Sequence, residues 1–125
     1  MIISKKWHSD ILLLEIIGSI DGEGREYLAQ EINNLFEKHD VDKCIMDFTK
    51  VTYIGSIGIG NILQIYKRFE SSNAKFCMLN ILPPLRRVFR ITQLDKIIPI
   101  FDSKKDAIKY LRGEIEYGEY NKTNR

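Results

Sequence analysis

Apolar and polar positions alternate in two rhythms along this chain. Residues 1–7 and 11–18 read as short strand-like runs separated by the turn-forming His8-Ser9-Asp10, and together as a hairpin. Asp21-Gly-Glu-Gly24 interrupts the second run. Tyr27, Leu28, Ile32, Leu35 and Phe36 then recur at helical spacing with charges between them, which predicts a helix to about His39. Lys43-Cys-Ile-Met-Asp-Phe48 suits a buried strand, extended by Val51-Thr-Tyr-Ile54 toward a turn at Gly55. From Ser56 a second helix carries Ile59, Ile62, Leu63, Tyr66 and Phe69 on one stripe, with Lys67, Arg68 and Glu70 outside it.

Lys75-Phe-Cys-Met-Leu79 is the next strand. Leu82-Pro-Pro-Leu85 opens a third helix, because proline's missing N–H costs nothing in a first turn. In it Leu85, Val88 and Phe89 face inward and Arg86, Arg87 and Arg90 outward. Ile97-Ile-Pro-Ile-Phe101 reads as a last strand, and Pro99 argues for a sheet edge. Ser103-Lys-Lys-Asp106 has the form of an acidic capping box ahead of Ala107, Ile108 and Leu111. Residues 113–125 lose periodicity and are expected to be a frayed or extended tail, although Tyr117 and Tyr120 within it read as packing residues. The order β-β-α-β-α-β-α-β-α predicts an α/β fold: a mostly parallel sheet of about five strands, crossover helices and an antiparallel first strand.

Length and composition narrow the function. At 125 residues there is room for one compact domain and not two. Lys and Arg total 19 against 17 Asp and Glu, a formal charge of +2, so charge does not argue for a nucleic acid or a membrane surface as partner. His8 and His39 are the only histidines, which leaves little material for a catalytic triad or a zinc site. Cys44 and Cys77 sit in separate apolar runs without a C-x-x-C neighbour and read as reduced core residues. No metal or other cofactor is expected. Residues 1–6 lack the apolar core of a leader peptide, which points to the cytoplasm.

The most unusual stretch is Tyr53-Ile-Gly-Ser-Ile-Gly-Ile-Gly60, a glycine-punctuated turn from strand into helix. Free amides and the helix dipole make such a turn favourable for negative charge. The structural alternative is that Ser56 is an ordinary N-cap bonding the amide of Ile59, with Gly55, Gly58 and Gly60 permitting the turn and close packing. The glycine order is wrong for G-x-G-x-x-G, no Lys-Ser/Thr follows as in a P-loop, and G-x-S-x-G is not matched. A nucleophile without an activating base argues against an enzyme.

The run Asp47-Phe-Thr-Lys-Val-Thr-Tyr-Ile-Gly-Ser-Ile-Gly-Ile-Gly60, with Ile65-Tyr-Lys-Arg68, resembles the signature stretch of the STAS domain, the family of bacterial anti-sigma factor antagonists. Gly18-Ser-Ile-Asp21, Leu82-Pro-Pro-Leu-Arg-Arg-Val-Phe89 and Leu94-Asp-Lys-Ile97 match further motifs in the family's order, so the resemblance covers residues 1–112 and leaves 113–125 as tail. It implies a fold whose four helices gather on one side of the sheet. It also implies a partner-switching regulator of transcription, not an enzyme, that binds an anti-sigma factor which is itself a serine kinase of the GHKL type. That kinase phosphorylates the family's serine, here Ser56, and a PP2C-type phosphatase reverses the modification. Asp21 falls on an acidic position of the neighbouring loop. The partner-binding surface then comprises Asp21, Gly55, Ser56, Ile57, Gly58 and Ile59, with no direct contact to nucleic acid or membrane.

Three positions depart from the family pattern. Gly55 stands where the family usually has Asp, which keeps open a second reading: an unphosphorylated STAS binding or scaffold module in another signalling or transport complex. Ile57 replaces a small residue and is expected to be partly buried. Gln93 replaces a Gly, so the third helix is expected to lack the usual left-handed cap. Arg86, Arg87, Arg90, Lys96, Lys104 and Lys105 read as solvated helix faces, with an acidic partner surface or a weak anion site as the alternative.

Overall fold

The computed structural model describes residues 1–123. Strands β1 (Ile2–His8) and β2 (Ile11–Ile20) form the expected antiparallel hairpin. Helix α1 (Gly22–Lys38), β3 (Lys43–Ile54), α2 (Ser56–Ser71), β4 (Lys75–Leu79), α3 (Pro83–Ile91), a 3-10 turn (Leu94–Lys96), β5 (Ile100–Phe101), α4 (Lys104–Leu111) and α5 (Tyr117–Thr123) follow. The strands lie in one five-stranded sheet in the order β1-β2-β3-β4-β5, parallel from β2 onward. Each parallel pair is joined through a helix, as a crossover requires.

β5 keeps only two residues of the apolar run expected as a strand. Pro99 has no N–H to donate, and it contributes its carbonyl instead, accepting from the Met78 amide at 2.8 Å. The strand does lie at a sheet edge.

Side-chain alternation divides the core in two. Leu12, Leu14, Cys44, Met46, Phe48, Phe76, Met78 and Ile100 point to the face covered by α1, α2 and α3. Their neighbours Ile11, Ile45, Cys77, Leu79 and Phe101 point to the other. Ala107 and Leu111 of α4 belong to that second cluster. The expectation that all four helices gather on one side is therefore corrected: three do, and α4 covers the opposite face. The cause is the sheet itself, whose central strands are apolar on both faces and need cover on both.

The tail expectation is also corrected within the described residues, 113–123; its last two positions lie outside them. Residues 117–123 form a helix, and Tyr117 and Tyr120 lay their rings against Phe101 at centroid distances of 5.6 and 4.6 Å. Three residues apart, the two tyrosines share a helix face and close the second core. Packing of both rings is as expected.

Gln93 overturns a third expectation. It takes the left-handed conformation, φ 61°, directly after the Thr92 cap of α3, so the cap geometry exists without glycine. Its amide bonds the Arg90 carbonyl at 3.1 Å, and Leu94 beyond it is buried, which pins the turn from both sides. Ser103 caps α4 as read from the sequence: its Oγ accepts from the Asp106 amide at 3.0 Å.

Candidate functional site

Irregular register between β2 and β3, on either side of Gly18, lets the two strands finish together, with Ile20 opposite Ile54. The chain then enters α1 and α2 side by side. Asp21 caps α1, its Oδ1 accepting from the Gly24 amide at 3.1 Å. Gly55 caps α2 in an extended conformation, and its amide donates to the Ile20 carbonyl at 3.1 Å. That bond joins the two turns, so Asp21 and Ser56 are the chain neighbours of a hydrogen-bonded pair.

Ser56 is the first helical residue, not the N-cap. The Ile59 amide bonds the Gly55 carbonyl at 3.0 Å, so the capping alternative is corrected: Ser56 is exposed and its hydroxyl makes no capping bond. The reason is the phase of the helix. Gly58 is buried, and a Cβ there would lie 2.8 Å from both the Ile20 carbonyl oxygen and Ile54 Cγ1. Only glycine lets α2 start this close to the end of β2. Gly60, by contrast, has open space where a Cβ would stand, so close packing does not require it.

With Gly58 inward, Ile57 turns outward and is 54% exposed, against the expectation of partial burial. Ile59 is half-buried and packs on the core. Of the six positions expected to meet a partner, Asp21, Ser56 and Ile57 are exposed, Gly55 is half-buried at the junction, Gly58 is a packing residue and Ile59 is mainly one. Sequence reasoning missed Tyr53. It is 56% exposed, and its hydroxyl reaches to 3.4 Å from the place a Cβ on Gly55 would take, so its ring flanks the turn. Strand alternation beside buried Ile54 was the available signal.

The first turn of α2 contains no acidic residue and no side-chain cap. Its amides and dipole are therefore free to stabilise added negative charge. Asp47 accepts from the Thr49 amide at 2.9 Å and from its hydroxyl at 2.6 Å, a structural role at the middle of β3. Cys44 and Cys77 are free, buried thiols, pushed up in pKa by burial and so held protonated. Among the described residues no group of His, Cys, Asp or Glu is arranged to hold a metal ion, and no helix is long and apolar enough to cross a membrane.

Residues 3–107 match the STAS domain family. The anti-sigma F factor antagonist of Paenibacillus polymyxa is 21% identical over 109 residues, 87% of this chain and 93% of that protein. A crystal structure of an anti-sigma factor antagonist from Mycobacterium paratuberculosis is similar with a TM-score of 0.79 at 22% identity, over 89% of this chain and 93% of the other. The Bacillus cell fate determinant SpoIIAA in its phosphorylated form gives 0.66 at 19% identity, over 87% and 98%. At such identities the structural likeness speaks to the fold.

Proposed function

Because the chain belongs to the STAS domain family, we propose that it is an anti-sigma factor antagonist: a cytoplasmic partner-switching regulator, not an enzyme, controlled by phosphorylation of Ser56. The observation that carries this reading is the exposed Ser56 hydroxyl at a helix start without a side-chain cap, hydrogen-bonded through Gly55 to the end of the strand that leads into Asp21. Exposed Ile57 and Tyr53 add apolar contact area around it. Names of relatives and structural neighbours agree with the reading.

Phosphate brings about −1.5 to −2 charges. The open amides and dipole of α2 tolerate that charge, so the domain stays folded and the effect falls on the partner. Inside a packed interface the same charge adds repulsion and desolvation, and about 3 kcal/mol of differential binding changes affinity about a hundredfold. The partner in this reading is an anti-sigma factor of the GHKL serine-kinase type, with a PP2C-type phosphatase to reset the switch.

Intact mass of the protein from its native cells should show a fraction carrying one phosphate, absent from Ser56→Ala. As bait, wild type should capture the kinase, and Ser56→Asp should hold it about a hundredfold less tightly. Full phosphorylation of Ser56→Ala defeats the assignment of the site. No phosphorylated fraction in any growth or stress condition, with capture unaffected by Ser56→Asp, favours the unphosphorylated binding or scaffold reading that Gly55 raises.

A further inference from the structure

A cleft of about 640 Å³ lies between α3, the 3-10 turn and α5. Arg86 and Arg90, four residues apart on α3, line it from one side, and Lys96 from another. Arg86 is held in place by the Asp102 carboxylate at 2.7 Å. Neither Arg90 nor Lys96 has an ion pair among the described residues. Asp95 is the other carboxylate in the lining, so the cleft keeps a positive excess.

Two further features shape it. Gln93 lines the cleft from a left-handed backbone conformation that residues with a side chain adopt at a cost. Helix α5 borders it on one side: the Tyr117 hydroxyl donates to the Asp95 carbonyl, the Tyr120 hydroxyl accepts from the Asp102 amide at 3.4 Å, and Asn121 enters the lining. α5 lies beyond residue 107, where the family match ends. This wall is therefore an addition to the part of the chain that the family accounts for.

We propose that this cleft binds a small phosphorylated molecule, with Arg86, Arg90 and Lys96 sharing the phosphate oxygens and the exposed Ile91 at the lining meeting its organic part. A carboxylate offers two oxygens, which one guanidinium satisfies. Three cations brought in from α3 and the following turn match the three terminal oxygens of a phosphate monoester better. A volume of about 640 Å³ is in the range of small-molecule sites. The site is separate from the Ser56 turn and does not depend on how that turn is used.

The test is a titration of the full chain with phenyl phosphate at constant ionic strength, followed by backbone amide NMR shifts, with inorganic phosphate and benzoate as parallel arms. Saturable shifts confined to residues 86–96, 102 and 117–121 are expected, with phenyl phosphate bound tightest and benzoate weakest. Arg90→Ala should weaken binding at least about tenfold, and Arg90→Ala with Lys96→Ala more, while Lys104→Ala leaves it unchanged. Both cleft residues are exposed, so the variants should keep the wild-type amide spectrum elsewhere. Affinity retained in the double variant, shifts spread without saturation over all basic side chains, or benzoate binding as tightly as phenyl phosphate overturns the proposal.

Discussion

Two serines stand at the starts of two helices in this protein, and their hydroxyls end in opposite situations. Ser103 is the N-cap of α4: its backbone is extended, its Oγ bonds the Asp106 amide, and Asp106 adds a negative charge to the first turn. Ser56 sits one position further in, as the first residue of α2, with Gly55 taking the cap position and no acid in the turn. One helix start is capped by a side chain and carries its own negative charge. The other is left open at the surface, and the cause lies outside the helix: the Ile20 carbonyl holds the Gly55 amide, and buried Gly58 sets α2 against the end of β2. Capping satisfies the chain, whereas an open helix start beside an exposed hydroxyl can receive charge.

The comparison breaks most severely at Gly58. In Gly58→Ala the new methyl meets a backbone oxygen at 2.8 Å, which cannot swing aside as a side chain would. Urea unfolding should show a loss of about 3 kcal/mol, at the upper end of overpacking costs. Gly60→Ala meets nothing and should instead gain about 0.5–1 kcal/mol from helix propensity. Equal midpoints for the two variants would refute the close approach that sets the phase of α2. Smaller is the effect at the side-chain-capped end: Ser103→Ala should cost about 1 kcal/mol, read from the same unfolding curves, because the Asp106 amide loses its acceptor.

How far the sequence disclosed these sites follows the range of the interactions involved. The Ser103 cap needs only the Asp106 amide three residues on, and it was readable as a pattern. Ser56 looked like the same pattern. Its displacement from the cap depends on Ile20, which is remote in sequence, and so could not be read locally. The order of strands and helices was legible because the two periods differ. The side taken by α4 was not, since Ile45, Cys77 and Phe101 are as apolar as Met46, Met78 and Ile100, and periodicity cannot tell two buried faces apart. The helix at Tyr117–Thr123 was hidden for a related reason. Seven residues with a glycine and polar neighbours carry little propensity, and their helix is held by Phe101, contributed by another element. Ile57 and Gln93 were misjudged residue by residue, although the first is placed by its neighbour Gly58 and the second by the buried Leu94 that follows it.

The finest test of the two helix starts is Ser56→Ala, whose expected effect on stability is the smallest. Alanine is the better helix former by a few tenths of a kcal/mol, and no capping bond is lost, so the unfolding free energy should stay within about 0.5 kcal/mol of wild type. The matched measurement is Ser103→Ala under identical conditions, with its loss of about 1 kcal/mol. A loss at Ser56 as large as that at Ser103 would mean that its hydroxyl caps α2 in solution, and the open helix start would disappear with it. A difference between the two serines of the expected size leaves the Ser56 hydroxyl without a part in stability. Any change in partner binding by Ser56→Ala then has to be read at the surface and not in the fold, because the fold of the domain does not depend on that oxygen.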